Sequence, residues 1–303
     1  MRVKLLGTAA GGGFPQWNCA CRNCRAFRDG TFTGKARSQL QVALTEDQNS
    51  WFLLNASPDI RSQIEAEPAL QPRAVRDTPI SAVVLTGAEI DQVLGLLAMR
   101  EFQEFRIYAT SSVQQVLRED NSMFAALNRG PAEWREITPG APFRLEFTNG
   151  TACCTPLSFG KHFPGYVPER RRQSLSSAEM SLGLMIQASS GRRLAYFPAV
   201  PSIDRALVTQ LESADVVLFD GTFWSDDELI QVRQAGPTAR DIGHVPVSGP
   251  GGSLEMLAKL KCGRKIYVHV NNTNPMLDEA GPEYRQVREA GCEIAEDGWE
   301  FEL

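Results

Sequence analysis

Three cysteines stand close together as Cys19-x-Cys21-x2-Cys24. Thiolates are soft ligands that hold zinc in a tetrahedron, and three of them leave one place for a fourth donor. The spacing lets one tight turn aim all three sulfurs at a common point; the competing reading is three small buried apolar side chains. Candidates for the fourth ligand are His269 and the amides of Asn271, Asn272 and Asn274, with Asn272 carried forward as the assignment. Cys153, Cys154, Cys262 and Cys292 lie scattered in apolar runs and read as inert core residues.

The chain has only three histidines. His269 closes an apolar run and opens His-Val-Asn-Asn-Thr-Asn-Pro-Met, whose asparagines cannot pack in a core without partners. His244 lies in Asp241-Ile-Gly-His-Val-Pro, and His162 lies in a loop. Asp220 ends the apolar run Val216–Phe219, where a carboxylate needs a cation or several donors. Gly7-x3-Gly11-Gly12-Gly13 follows an extended segment, but Phe14-Pro15-Gln16-Trp17 comes next, which opens no helix. A dinucleotide cradle requires a helix there, so these glycines are read as sites of close backbone approach.

The elements that must carry these residues are short. Runs rich in β-branched and aromatic residues, bounded by turn residues, predict strands at Val3–Leu6, Leu40–Leu44, Trp51–Leu54, Ala82–Thr86, Arg106–Ala109, Phe143–Phe147, Leu182–Gln187, Arg193–Phe197, Val216–Asp220, Lys265–Val270 and Glu293–Ala295. Helical patterns fall at Ile90–Glu101, Val113–Glu119, Ser202–Glu212, Ser253–Lys261 and Pro282–Ala290, with Pro282 in a first turn and Gly291 as a stop. The strand-rich order recurs in each half with no linker between, which predicts two sheets packed face to face, helices outside, in a single domain over residues 1–303. The segment 163–178, with Arg170, Arg171 and Arg172, reads as an exposed loop.

Of the 303 residues, 43% are hydrophobic and 22% charged, as in an ordinary globular chain, and the net charge of −5 argues against nucleic acid or an anionic membrane as partner. The apolar stretch Val3–Leu6 is too short for a secretion signal, and no run of about 18 apolar residues follows, so a cytoplasmic protein is expected.

At Leu85-Thr86-Gly87-Ala88-Glu89-Ile90-Asp91-Gln92 a buried strand runs through a polar turn into a helix. This junction resembles that of metallo-β-lactamase folds, which place His-x-His-x-Asp-His there. The matching positions are Gly87, Glu89, Asp91 and Gln92, so Asp91 alone keeps a ligand of that motif. The strings Gly-Gly-Gly-Phe-Pro-Gln-Trp-Asn at 11–18, Asn-Ala-Ser-Pro-Asp-Ile-Arg at 55–61, Asp-Gly-Thr-Phe-Trp-Ser-Asp-Asp-Glu at 220–228, Gly-Pro-Gly-Gly at 249–252 and His-Val-Asn-Asn-Thr-Asn-Pro at 269–275 are similar, in order and over nearly the whole chain, to the pyrroloquinoline quinone (PQQ) biosynthesis protein B family.

The resemblance implies an α/β fold, the four-layer αβ/βα sandwich of the metallo-β-lactamases. It implies a structural Zn2+ on Cys19, Cys21 and Cys24, and a mononuclear active site of Asp91, Asp220 and His269 suited to Fe2+. His244 is expected to touch substrate first and metal second. His162 lies where the fold often supplies a ligand and is read here as structural. Gln92 stands where many relatives have His, and a neutral amide is a poorer ligand for Fe2+. The implied activity is an iron- and O2-dependent hydroxylase of the tyrosine in a Glu–Tyr-derived PQQ precursor. The alternatives are a non-catalytic carrier in the transport of PQQ or its precursor toward the periplasm, and a metal-dependent phosphodiesterase. Implied partners are that small-molecule or dipeptide precursor and other proteins of the pathway.

Overall fold

The computed structural model of the chain describes residues 1–101, 104–128, 132–160 and 162–303. The strands are β1 (Arg2–Gly7), β2 (Gln41–Thr45), β3 (Trp51–Leu54), β4 (Ile80–Val84), β5 (Phe105–Ala109), β6 (Ala132–Glu136), β7 (Phe143–Phe147), β8 (Gly150–Ser158), β9 (Leu182–Gln187), β10 (Arg193–Phe197), β11 (Val216–Asp220), β12 (Arg264–Val268), β13 (Glu293–Ile294) and β14 (Trp299–Glu302). They fall in two compact units: residues 1–6, 41–192 and 298–303 form the first, and residues 7–40 and 193–297 the second.

In the first unit the sheet runs β14-β1-β2-β3-β4-β5-β6. Val3 lies opposite Phe301 in the antiparallel β1–β14 pair, so both ends of the chain belong here rather than one to each half. The strands β3 to β6 are parallel, and parallel neighbours need crossovers. One is the helix Ser111–Arg118, capped by the Thr110 hydroxyl, which accepts from the Val113 N–H. Its Val113, Val116 and Leu117 join a buried cluster with Val83, Leu85 and Ile107. Each such side chain contributes about 1.5–3 kcal/mol by leaving water. The strands β7, β8 and β9 form an antiparallel ladder.

The second unit is built on parallel β10-β11-β12-β13. Every residue of β11 is buried, as expected of an apolar strand inside a parallel sheet. Helices Arg205–Glu212, Ser253–Lys259 and Pro282–Glu289 make the crossovers. Asp220 pairs in register with Val268, so the carboxyl ends of β11 and β12 present Asp220 and His269 side by side. Carboxyl ends of parallel strands are where such sheets place ligands.

All eleven predicted strands are present, with ends shifted by a residue or two. The helix expected over Ile90–Glu101 is instead two short pieces, Ile90–Val93 and Gly95–Ala98. Gly95 N–H donates to Ala56 O at 2.9 Å instead of continuing the helix. A Cβ there would lie 2.2 Å from Ser57 O, so the break depends on a bare backbone. The segment 163–178 is largely exposed, as read, but Val167 and Leu175 anchor it in the first unit's core. Cys153 corrects the reading of the four scattered cysteines: it is exposed and Cys262 half-buried, whereas Cys154 and Cys292 are buried. No helix among the described residues is long and apolar enough to cross a membrane.

Candidate metal centre

Two ligand clusters form in the second unit. The first is the cysteine clip: the sulfurs of Cys19, Cys21 and Cys24 lie within 4.8 Å of one another. Cys21 precedes the helix Arg22–Arg28 and Cys24 sits inside it, so a single turn supplies the convergence. Burial favours the neutral thiol at Cys19, yet the Cys21 N–H, with Cys21, Asn272 and Cys24 side chains, holds it below the ordinary range. Burial, with the neighbouring sulfurs, pushes Cys21 up to about 12. Crowded thiolates of this kind repel one another unless a cation is shared among them.

The asparagines sort themselves by their partners. Asn272 is buried and directs its amide at Cys24 Sγ (3.3 Å) and Cys21 Sγ (3.6 Å). Its nitrogen and oxygen exchange places by a flip, which would turn the oxygen toward the sulfurs. Asn271 donates to Thr273 Oγ1 at 2.5 Å, and Asn274 donates to Gly221 O at 2.9 Å and Thr222 O at 3.3 Å. Asn23, from the clip helix, donates to the carbonyls of Asn272 (3.2 Å) and Asn274 (2.9 Å).

The second cluster joins Asp220, His244 and His269, whose ligand atoms again lie within 4.8 Å of one another. Asp220 is fully buried and accepts two donors on each oxygen. Thr222 N–H (3.0 Å) and Thr222 Oγ1 (2.6 Å) reach Oδ1; Val200 N–H (2.8 Å) and His244 Nδ1 (2.8 Å) reach Oδ2. Burial alone would raise its pKa; the charge and bond of His244, with His269 and the Thr222 hydroxyl, hold it below the usual carboxylate range. The His244 and His269 rings are stacked, 5.4 Å apart at 19°. His269 sits at φ +57°, a left-handed conformation that costs a non-glycine residue about 1–3 kcal/mol and recurs at functional sites.

Sequence reasoning missed Thr222, whose Oγ1 lies 3.0 Å from His244 Nδ1 and 2.8 Å from His269 Nδ1. The available signal was the i, i+2 spacing from Asp220, the pattern of a carboxylate bonding its own backbone two residues on. It also missed Glu228, buried beneath the same loops, which accepts from Trp224 N–H (2.5 Å) and from the Thr273 hydroxyl.

Asp91 belongs to the first unit, in the first turn of the helix Ile90–Val93. Beside it the Gln92 amide folds back, its Oε1 accepting the Glu89 N–H at 3.3 Å. A Cβ at Gly87 would lie 2.5 Å from that same oxygen, so the small residue at 87 and the amide at 92 share one space. Glu89 Oε1 lies 3.8 Å from His162 Nε2, which gives this histidine a carboxylate neighbour rather than an isolated place in a loop.

Two imidazoles and one carboxylate are a composition suited to a mononuclear divalent metal with open positions. Three converging thiolates suit a structural zinc site that takes one further donor. Residues 50–270 match the β-lactamase superfamily domain. The chain is 43% identical over 311 aligned positions to coenzyme PQQ synthesis protein B of Azotobacter vinelandii, covering 100% of both. It superposes on the crystal structure of Zn(2+)-bound PqqB from Methylobacterium extorquens with a TM-score of 0.92 and 37% identity, again over 100% of both chains. A diphosphatase of the PhnP family, at 19% identity and a TM-score of 0.68 over 100% of this chain and 97% of that one, shares the fold alone. The α/β metallo-β-lactamase sandwich expected from the sequence is therefore the fold of this protein, and the chain belongs to the coenzyme PQQ synthesis protein B family of the β-lactamase superfamily.

Proposed function

We propose that this chain, as one metallo-β-lactamase domain over residues 1–303, acts in the cytoplasm in PQQ biosynthesis as an iron- and O2-dependent hydroxylase of the tyrosine ring in a Glu–Tyr-derived precursor. The role in PQQ biosynthesis rests on full-length likeness to coenzyme PQQ synthesis protein B. The hydroxylase reading is carried by the grouping of two imidazoles with a buried carboxylate at Asp220, His244 and His269. Asp220 and His269 are assigned to the reacting metal, with His244 beside them as a substrate contact first and a ligand second; Cys19, Cys21, Cys24 and Asn272 are assigned to structural zinc.

Bound Fe2+ would supply the oxygen chemistry. The protein's own part is to hold nitrogen and oxygen donors at fixed places. Asp220 is held by Val200 and Thr222 on a rigid strand end, and it in turn holds His244. All four of its bonds come from the protein, so seating a metal on Asp220 exchanges one of them. Anaerobic Fe2+ added after mild chelation should occupy one site beyond the zinc. Exposure to O2 with a Glu–Tyr peptide and a two-electron reductant such as ascorbate should then yield a product heavier by one oxygen atom, the second oxygen leaving as water. Failure of Fe2+ to add under any condition overturns the reading.

A second reading, a carrier of PQQ or its precursor, is favoured by the saturated bonding of Asp220 and by Gly87, Glu89 and Gln92 in place of histidines. Direct binding of PQQ by metal-free protein without turnover would support it. A phosphodiesterase activity rests on fold likeness alone, and cleavage of a generic phosphodiester with Zn2+ or Mn2+ is its test.

A further inference from the structure

We infer that Thr222 is a positioning residue that fixes the proton of His269 on Nδ1 and so places the ring's lone pair on Nε2. The inference rests on the reading of His269 as a metal ligand, and its statement about the proton stands apart from whether a metal binds. A threonine hydroxyl has one proton to donate and two lone pairs. At 2.6 Å from Thr222 Oγ1, the closest acceptor is Asp220 Oδ1, a carboxylate oxygen that also accepts the Thr222 N–H. The hydroxyl proton is therefore spent on Asp220. What remains on Oγ1 is acceptor capacity, and the ring nitrogen 2.8 Å away, His269 Nδ1, must be the donor.

His244 reaches the same state by a different route. Its Nδ1 lies 2.8 Å from Asp220 Oδ2, which compels a proton on that nitrogen whether or not Thr222 is present. Its 3.0 Å contact with Thr222 is secondary. One hydroxyl and one carboxylate thus give both stacked rings the same orientation and the same tautomer. A ring nitrogen that binds a metal needs its lone pair, and second-layer partners of this kind commonly alter metal affinity 10–100-fold.

The chain's three histidines make this directly observable. In full-length protein labelled with 15N-histidine, long-range proton–nitrogen spectra at pH 8 separate the two tautomers, and His162→Gln removes the reference ring. Wild-type protein should show Nδ1–H for both His244 and His269. In Thr222→Val, His244 should keep that pattern while His269 shifts toward Nε2–H; Thr222→Ser should restore it. Affinity for the divalent ion beyond the zinc, measured with Mn2+ as probe, should fall at least tenfold in Thr222→Val and recover in Thr222→Ser. An Nε2–H pattern at His269 in the wild type overturns the inference with no variant needed, as does an unchanged His269 in Thr222→Val. If the tautomers are as stated but Mn2+ never binds, the inference stands and the metal reading of Asp220, His244 and His269 fails. If Mn2+ binds to a wild type whose His269 carries Nε2–H, the metal reading survives and the inference falls.

Discussion

At the scale of single residues, the second unit keeps two carboxylates out of water by opposite means. Asp220 is stabilised in its charged form by four donors, one of them the His244 imidazole. Asp220→Asn should therefore cost about 3 kcal/mol in urea unfolding, because an amide nitrogen would face a donor where an oxygen now accepts. Glu228 has fewer donors, and burial pushes its pKa up to about 7 against the pull of Thr273 and Trp224. A carboxyl whose folded pKa is raised stabilises fully below its unfolded pKa and loses that contribution as pH climbs through the folded one. Wild-type stability should thus decline between about pH 5 and 8 by about 1–3 kcal/mol from this group, and Glu228→Gln should flatten the decline. Equal pH slopes in the two proteins would sink that assignment. Asp220 and His269 were legible from sequence because polar residues closing apolar strands need partners. Thr222 was not, because a hydroxyl's importance lies in what surrounds it, and a sequence does not say which ring nitrogen it will meet.

At the scale of elements, the junction after β4 replaces a ligand motif with a structural one. Gln92 bonds the Glu89 backbone, and Gly87 leaves room for it. Gly87→Ala should destabilise by about 1–3 kcal/mol, since the new methyl meets both the Gln92 amide and Met180 O at 2.7 Å. Thermal unfolding checks this, and an unperturbed midpoint would show that the crowding relaxes freely. Strands with period-two or continuous apolar content, such as β3 and β11, were readable. The longest, β8, was not predicted: Gly150-Thr-Ala-Cys-Cys-Thr-Pro-Leu-Ser is small and polar in places, carries Pro156, and gains its strand character from pairing with both β7 and β9. The helix Arg22–Arg28 was likewise unseen, because six polar or small residues surround Phe27 and only the clip gives it a buried face.

At the scale of the whole molecule, the sandwich was legible through the five strings that run along the chain. The partition into units was not, because pairing of β1 with β14 is a contact 300 residues apart that no local pattern records. A chain of this size does not need a metal to bury a core, so zinc should add to stability rather than create it. With zinc on the clip as proposed, Cys21→Ser should lower unfolding free energy by several kcal/mol and release that zinc, read by chelator titration. Unchanged stability with unchanged zinc content would mean the three sulfurs are only packing atoms.

The amide bonds from Asn23 to the Asn272 and Asn274 carbonyls, and from Asn274 to the carbonyls of Gly221 and Thr222, lead from the cysteine turn to the hydroxyl that governs His269. Were the cysteine clip to hold zinc and the Asp220 cluster a second metal, as proposed, a newly made chain short of zinc would be left with a slack floor under that cluster, and the second metal, supplied afterwards, would find no prepared seat. Metallation would have an order built into it, zinc first. Cells starved of zinc but replete in iron should consequently make less of the cofactor; output that ignores zinc supply would show that the two ions settle independently.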